Sequence, residues 1–356
     1  MKIMQPPFRA DHVGSLLRPA GLAEARKKKD VAFQQNAIRA IVARQEAIGL
    51  HGITDGEFSR DWWHLDFLAQ LEGVTLRDRT TGPKFGGTEE QPPVPVVTGH
   101  LRYDKPIMVG DFLFLKQATS ETAKFTIPSP SMLHLRSGRA GISRRAYPDM
   151  EAFWHDAAAA WREAIAAFAG AGCKYLQLDD VAFAYLCDPK IRDNCVRNGD
   201  DPQALPRIYA QTINRALEGR PHGMTITLHT CRGNFRSAWV AEGGYEPVAE
   251  AMFSTGVDGF FIEFDSARAG GFEPLRFVPR GKRVVLGLVT SKSGAMEEPE
   301  DLKRRIGEAS KYVPLQDLCL SPQCGFSSTR HGNLLTEDEQ WRKLELVVNV
   351  AAQVWR

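Results

Sequence analysis

Four side chains able to ligate a metal close apolar stretches in the second half of the chain. They are His229 and Cys231 in His229-Thr230-Cys231, Glu263 in Phe261-Ile262-Glu263, and Cys324 in Ser321-Pro322-Gln323-Cys324-Gly325. Residues two apart in an extended segment point the same way, so His229 and Cys231 can face one ion. One nitrogen, two sulfurs and one oxygen make a ligand set that suits Zn²⁺ in tetrahedral geometry. Two thiolates and a carboxylate leave that set net negative. A substrate thiol bound there would be deprotonated yet keep its electron density for attack on an alkyl carbon. Taken alone, His-x-Cys is a short pattern, and a buried cysteine beside a hydrogen-bonded histidine would read the same way.

For these residues to meet, the chain must bring several strand ends together. From Gly172 onward, short apolar and β-branched runs alternate with helical ones. The runs cover residues 174–179, 224–229, 259–263, 284–289 and 318–322, with helices expected near 204–218, 246–255, 299–310 and 337–353. Upstream, Asp11-His12-Val13-Gly14-Ser15 reads as a first strand and its exit, Gly52–Glu57 as a second, and Lys124–Ile127 as a third. Ile38, Ile41, Val42 and Ile48 recur at helical spacing, as do Phe153, Ala157, Trp161, Ile165 and Phe168. Eight strand–helix steps predict an α/β fold, a (β/α)8 TIM barrel, forming one domain over residues 1–356. Functional residues of such barrels sit at the C-terminal strand ends, where all four candidates fall. Residues 78–116 break the pattern with Gly82-Pro83, Gly86-Gly87 and Pro92-Pro93, and are expected to form an inserted β-hairpin or lid after the second strand.

The His-x-Cys on one strand, the Ile-Glu on the next and the Pro-x-Cys-Gly near the end resemble the catalytic (C-terminal) barrel of cobalamin-independent methionine synthase. The resemblance spans nearly the whole chain, in the manner of a short single-barrel relative. Val13-Gly14-Ser15 is similar to that family's early Gly-Ser segment, Gly56-Glu57 to its Gly-Glu strand end, and Gln177-Leu178-Asp179 to its Gln-x-Asp strand end. The family moves a methyl group to the sulfur of homocysteine, forming methionine. The resemblance therefore implies Zn²⁺ as cofactor, held by His229, Cys231, Glu263 and Cys324. It implies Ser15, Glu57 and Asp179 as contacts for the amino acid's carboxylate and ammonium groups. It further places Asp179 and Lys292 in catalysis, Lys292 standing where the family has a histidine proton donor. The family's Trp-Ser-Phe segment has no counterpart in Thr126–Met132. The methyl donor is accordingly expected to be of the 5-methyltetrahydrofolate type or a corrinoid.

Other readings stay open at this level. Zinc-dependent alkyl transfer to another small thiol, such as coenzyme M, would use the same ligands, although two carboxylates near the mouth favour an amino acid. A zinc hydrolase would ordinarily be richer in histidine and leave an open position. Ser15 could cap a turn, and Glu57 and Asp179 could anchor loops. In Asp179-Asp180, alternation lets only one carboxylate face the mouth. Trp62-Trp63-His64 reads as an aromatic wall beyond Glu57.

Charge and composition narrow the partners. With 45 Lys+Arg against 43 Asp+Glu, the chain is too balanced to attract nucleic acid or an anionic membrane surface. It shows neither a signal-like apolar segment nor a phosphate-binding glycine loop, so a cytoplasmic location is expected. The expected partners are the small-molecule thiol homocysteine and a methyl donor, and a homo-oligomer is compatible with this surface. Six cysteines are too sparse for a disulfide framework.

Overall fold

Parallel pairing between successive long-separated strands organises the chain. The computed structural model describes residues 5–78 and 93–355. In chain order the strands are β1 Gly52–Ile53, β2 Glu72–Arg77, β3 Val94–Arg102, β4 Thr122–Pro128, β5 Tyr175–Asp180, β6 Thr225–Thr230, β7 Gly259–Glu263, β8 Arg283–Val289 and β9 Leu318–Pro322. The main sheet runs β1-β4-β5-β6-β7-β8-β9, with every neighbour parallel. Helices Val31–Ala47, Val109–Ala118, Met150–Gly170, Leu205–Ala216, Ala249–Phe253, Pro299–Ala309 and Glu337–Val354 fill the crossovers and the C-terminal end. Between β7 and β8 the crossover is reduced to 3-10 turns at Ala267–Ala269 and Glu273–Phe277.

The eighth stave is the chain's beginning. Ala10 bridges Leu320 in parallel, with the Leu320 amide donating to Arg9 O and the Asp11 amide donating to Leu320 O. The expected strand over Asp11–Ser15 is thus shifted towards Arg9 and shortened to a single bridge. The cause is local: the Asp11 carboxylate accepts the backbone N–H groups of Phe8 and His12, giving them a partner outside any ladder. The stave then meets β1 through side chains, as Thr54 Oγ1 donates to Gly14 O at 2.6 Å. The result is a TIM-type (β/α)8 barrel.

Alternation sorts the side chains between two cores. Tyr175, Phe261, Val285 and Cys319 cluster with Phe8 and Val13 inside the barrel. The intervening Leu176, Leu178, Phe260, Ile262, Val284, Leu286, Leu318 and Leu320 join the larger core between sheet and helices. Strands buried on both faces read as nearly continuous apolar runs, which is what made them visible in sequence. Odd-numbered residues of β5 to β9 therefore face the lumen, so Asp179, His229 and Glu263 point inward at its C-terminal end.

The insertion after the second stave is a hairpin, with β2 and β3 antiparallel. It begins at Glu72, earlier than expected, and Val109–Ala118 is already the barrel helix before β4. Most of the Gly/Pro-rich stretch, 79–92, lies outside the described residues. The hairpin packs on the loop that follows β4: Ser143 N donates to Val97 O at 2.8 Å, and Leu101 N donates to the Tyr147 hydroxyl at 2.6 Å. No helix among the described residues is long and apolar enough to cross a membrane.

Candidate metal centre

Register sets the first contact. Asp179 on β5 lies directly beside His229 on β6, and His229 Nδ1 is 3.0 Å from Asp179 Oδ1. The carboxylate also accepts from Gln177 Nε2 at 2.7 Å, which fixes it in turn. A histidine held through Nδ1 presents Nε2 outward, and here Nε2 is buried with no hydrogen-bond partner. Burial alone would lower the pKa of His229, but Asp179 and Cys324 outweigh it and push it up to about 10.

Two sulfurs face that nitrogen. Cys231 lies just past β6 and Cys324 just past β9, and their Sγ atoms are 3.2 Å apart. That is far longer than a disulfide bond of about 2.05 Å, and all six cysteines are free. Donation from Cys231 drops the Cys324 thiol well below its ordinary range, and accepting character on Cys324 pushes Cys231 well above it. The ligand atoms of His229, Cys231 and Cys324 all lie within 4.8 Å of one another. An orphaned imidazole nitrogen and two adjacent sulfurs, all buried, fit a thiophilic divalent cation such as Zn²⁺.

Glu263 is not brought into this group. It is fully buried, but Oε1 accepts from Arg268 Nε at 3.0 Å and Nη2 at 2.8 Å, while Oε2 accepts from the Arg232 amide at 3.1 Å. Lys292 turns its ammonium to the Gly233 carbonyl at 2.9 Å, behind the Cys231 loop. There it adds positive potential that favours the Cys324 thiolate.

The remaining candidates converge on one cavity over the cysteines, lined by Ser15, Glu57, Asp179, His229, Cys231 and Cys324 among others. Ser15 Oγ accepts from the Ser327 amide at 3.2 Å, and any Cβ on Gly325 would overlap it. Glu57 follows a sharp turn in which Gly56 and Glu57 have φ of 64° and 61°. A Cβ on Gly56 would lie 2.6 Å from Ile41 Cδ1, so the turn requires glycine. The strained geometry swings Glu57 into the mouth. Its Oε1 accepts from Thr126 Oγ1 at 3.2 Å, whereas Oε2 is buried without a partner. Burial, with Asp179 and Asp55 adding to it against Arg60, raises its pKa to about 7. Asp180 faces the other way, accepting from Ser129, Ser131 and the Phe183 amide.

A family model described as cobalamin-independent synthase, catalytic domain, matches residues 14–353. The chain belongs to this family. Members similar to it include an uncharacterized protein of Bacillus subtilis, YxjH, 48% identical over 100% of this chain and 97% of the relative. A Listeria monocytogenes structure, described as a candidate vitamin-B12-independent methionine synthase, has a TM-score of 0.79 and 40% identity, covering 99% of this chain and 100% of that one. The 5-methyltetrahydropteroyltriglutamate–homocysteine methyltransferase of Bacillus velezensis is 23% identical over 96% of this chain, which spans 42% of that longer protein. A B12-independent methionine synthase from a Shewanella species shares the fold, with a TM-score of 0.70 and 21% identity over 97% of both chains.

The sequence reading of this family member's site missed three things. It gave Asp179 to substrate and catalysis without the contact to His229 that the strand register sets up. It missed the commitment of Glu263 to Arg268, five residues on, because that arginine lies in an irregular turn. It also missed Arg136, which lines the same cavity from the loop after β4 with no periodicity to mark it.

Proposed function

We propose that the protein is a zinc-dependent methyltransferase that moves a methyl group to the sulfur of homocysteine, forming methionine. The convergence of His229, Cys231 and Cys324 at the mouth of a barrel of this family carries the reading. Zn²⁺ held there would supply the Lewis acidity that keeps the substrate thiol ionised near neutral pH.

The chain's own residues do the rest. Asp179 fixes the imidazole of His229 so that Nε2 points at the cysteine pair, the second contact that metal-binding histidines ordinarily have. Cys231 and Cys324 keep the centre electron-rich, and Lys292 limits the charge that accumulates around them. Glu263 would be the fourth ligand, and Arg268 holds its carboxylate beside the centre. Oε2 of Glu57, buried and unpartnered, receives the substrate ammonium group, with Ser15 beside it. The new S–CH₃ bond forms as the methyl–carrier bond breaks, the electron pair of that bond leaving with the carrier. A 5-methyltetrahydrofolate-type molecule or a methylated corrinoid is the proposed carrier.

Zinc-loaded protein incubated with homocysteine and either methylcobalamin or 5-methyltetrahydrofolate should yield methionine with one of them by mass spectrometry. Cys324→Ser should lose both zinc and product. Zinc-replete protein that forms no methionine with either donor would contradict the reading.

A further inference from the structure

Attack on a methyl group runs in line, so the carrier lies on the side of the methyl away from the substrate sulfur. The ligand cluster and the amino-acid contacts sit at strand ends, on the floor of the cavity. Its wall is built by the loops beyond, and there the carrier must lodge. Trp62, Trp63 and Phe235 make that wall largely aromatic, with Trp62 and Phe235 stacked 6.1 Å apart at 9°. Two polar groups interrupt it, Arg136 eight residues past β4 and His64 seven past Glu57. Neither belongs to the metal centre or to the amino-acid contacts.

His64 is 1% exposed, and neither ring nitrogen has a hydrogen-bond partner. Buried imidazoles are ordinarily bonded at one nitrogen at least, so a bare one lining a cavity is held ready for a ligand. Trp63 packs against the ring, with centroids 4.4 Å apart. Burial, and then the charge of Arg136, hold His64 well below its ordinary pKa, so the ring is neutral and donates one N–H. Arg136 supplies the charge. Its guanidinium has no carboxylate partner among the described residues, and its Nε is buried and unbonded. A cation with a neutral donor at its side selects an anion, and a planar guanidinium matches carboxylate or phosphate oxygens through paired hydrogen bonds.

We propose that Arg136 and His64 form an anion subsite for the methyl carrier, taking a carboxylate or phosphate group while the aromatic wall covers the carrier's flat face. This rests on the reading of the cavity as a homocysteine methyltransferase site and adds what recognises the donor. A 5-methyltetrahydrofolate-type carrier would offer a carboxylate and a corrinoid a phosphate. The shared chemistry is an oxyanion on a flat methyl carrier, and paired probes separate the two sources.

The test is calorimetric binding to zinc-loaded protein, without thiol, of four probes. They are 5-methyltetrahydrofolate and its dimethyl ester, and methylcobalamin and the phosphate-free methylcobinamide. Whichever carrier the site takes, its anionic form should bind about 10- to 100-fold tighter than its anion-free partner, the range for a charge-assisted hydrogen bond. Arg136→Gln should abolish that gap and leave zinc content and homocysteine affinity at their native values. Arg136→Lys, which keeps the charge but not the planar fork, should retain part of the gap, and serves if the glutamine variant does not fold. No gap in the unaltered protein, or no binding of any probe, would overturn the proposal, as would a gap that survives in both variants. Loss of zinc or of homocysteine binding in both variants would overturn it by showing a structural role. Methionine formation is scored separately: probes that bind with the expected gap yet give no methionine with homocysteine would sink the proposed function alone.

Discussion

Glu57 concentrates the electrostatics of the site in one residue. Its carboxyl is buried, one oxygen has no partner, and its pKa is raised from 4.5 to about 7. The folded protein therefore holds a proton there that the unfolded chain releases. Stability from this group is fully present below about pH 4.5 and is lost as pH rises through 7. Glu57→Gln should then be more stable than the unaltered protein at pH 8, by up to about 3 kcal/mol, with the difference shrinking towards pH 5. Urea midpoints at the two pH values check this, and a variant less stable at pH 8 would mean that Arg60 already holds the carboxylate ionised. A bound ammonium group would displace that proton, linking substrate affinity to the same titration. At this scale the cluster of His229, Cys231 and Cys324 was legible because these residue types are rare and sit at strand ends. The partner of Asp179 was not, because it depends on which residues of β5 and β6 stand side by side. Nor was the free face of Arg136, which lies eight residues beyond β4.

The strand ends are held by the helices behind them. Trp161, fully buried in the helix Met150–Gly170, donates from Nε1 to Pro128 O at 2.7 Å, the last carbonyl of β4. That bond anchors the point where the strand becomes the loop bearing Arg136, and the hairpin of β2 and β3 braces the far end of the same loop. Trp161→Ala should destabilise the protein by about 3–5 kcal/mol, as for large core truncations. Trp161→Phe, which keeps most of the volume, should cost mainly the hydrogen bond, about 1 kcal/mol. Chemical denaturation of the two variants distinguishes them, and equal losses would show that the bond to Pro128 contributes nothing. Periodicity located most elements because strands buried on both faces and one-sided helices have distinct apolar patterns. It failed where side chains replace ladder bonds: Asp11 reduces the first stave to one bridge, and β1 is only Gly52–Ile53. The insertion's edges were misplaced because the helix Val109–Ala118 is apolar on several sides, with Leu113 exposed, and carries little amphipathic signal.

Over the whole molecule, barrel closure explains why residues as far apart in sequence as Ser15 and Cys324 share one cavity. The first stave pairs with the last, so the chain's start and the loop after β9 become neighbours, and Ser15 O accepts from the Phe326 amide at 2.9 Å. Seven parallel strands then deliver Asp179, His229 and Cys231 to the same rim. The fold class was readable from the count of alternating elements, but the sharing of a cation between Glu263 and Asp265 by Arg268 is a property of packed loops alone. A zinc ion held at this rim should gain a sulfur neighbour when the acceptor thiol arrives. Zinc-edge X-ray absorption on stoichiometrically loaded protein measures it, before and after saturation with homocysteine. Two sulfur neighbours should become three. A sulfur count that homocysteine leaves unchanged would contradict the account.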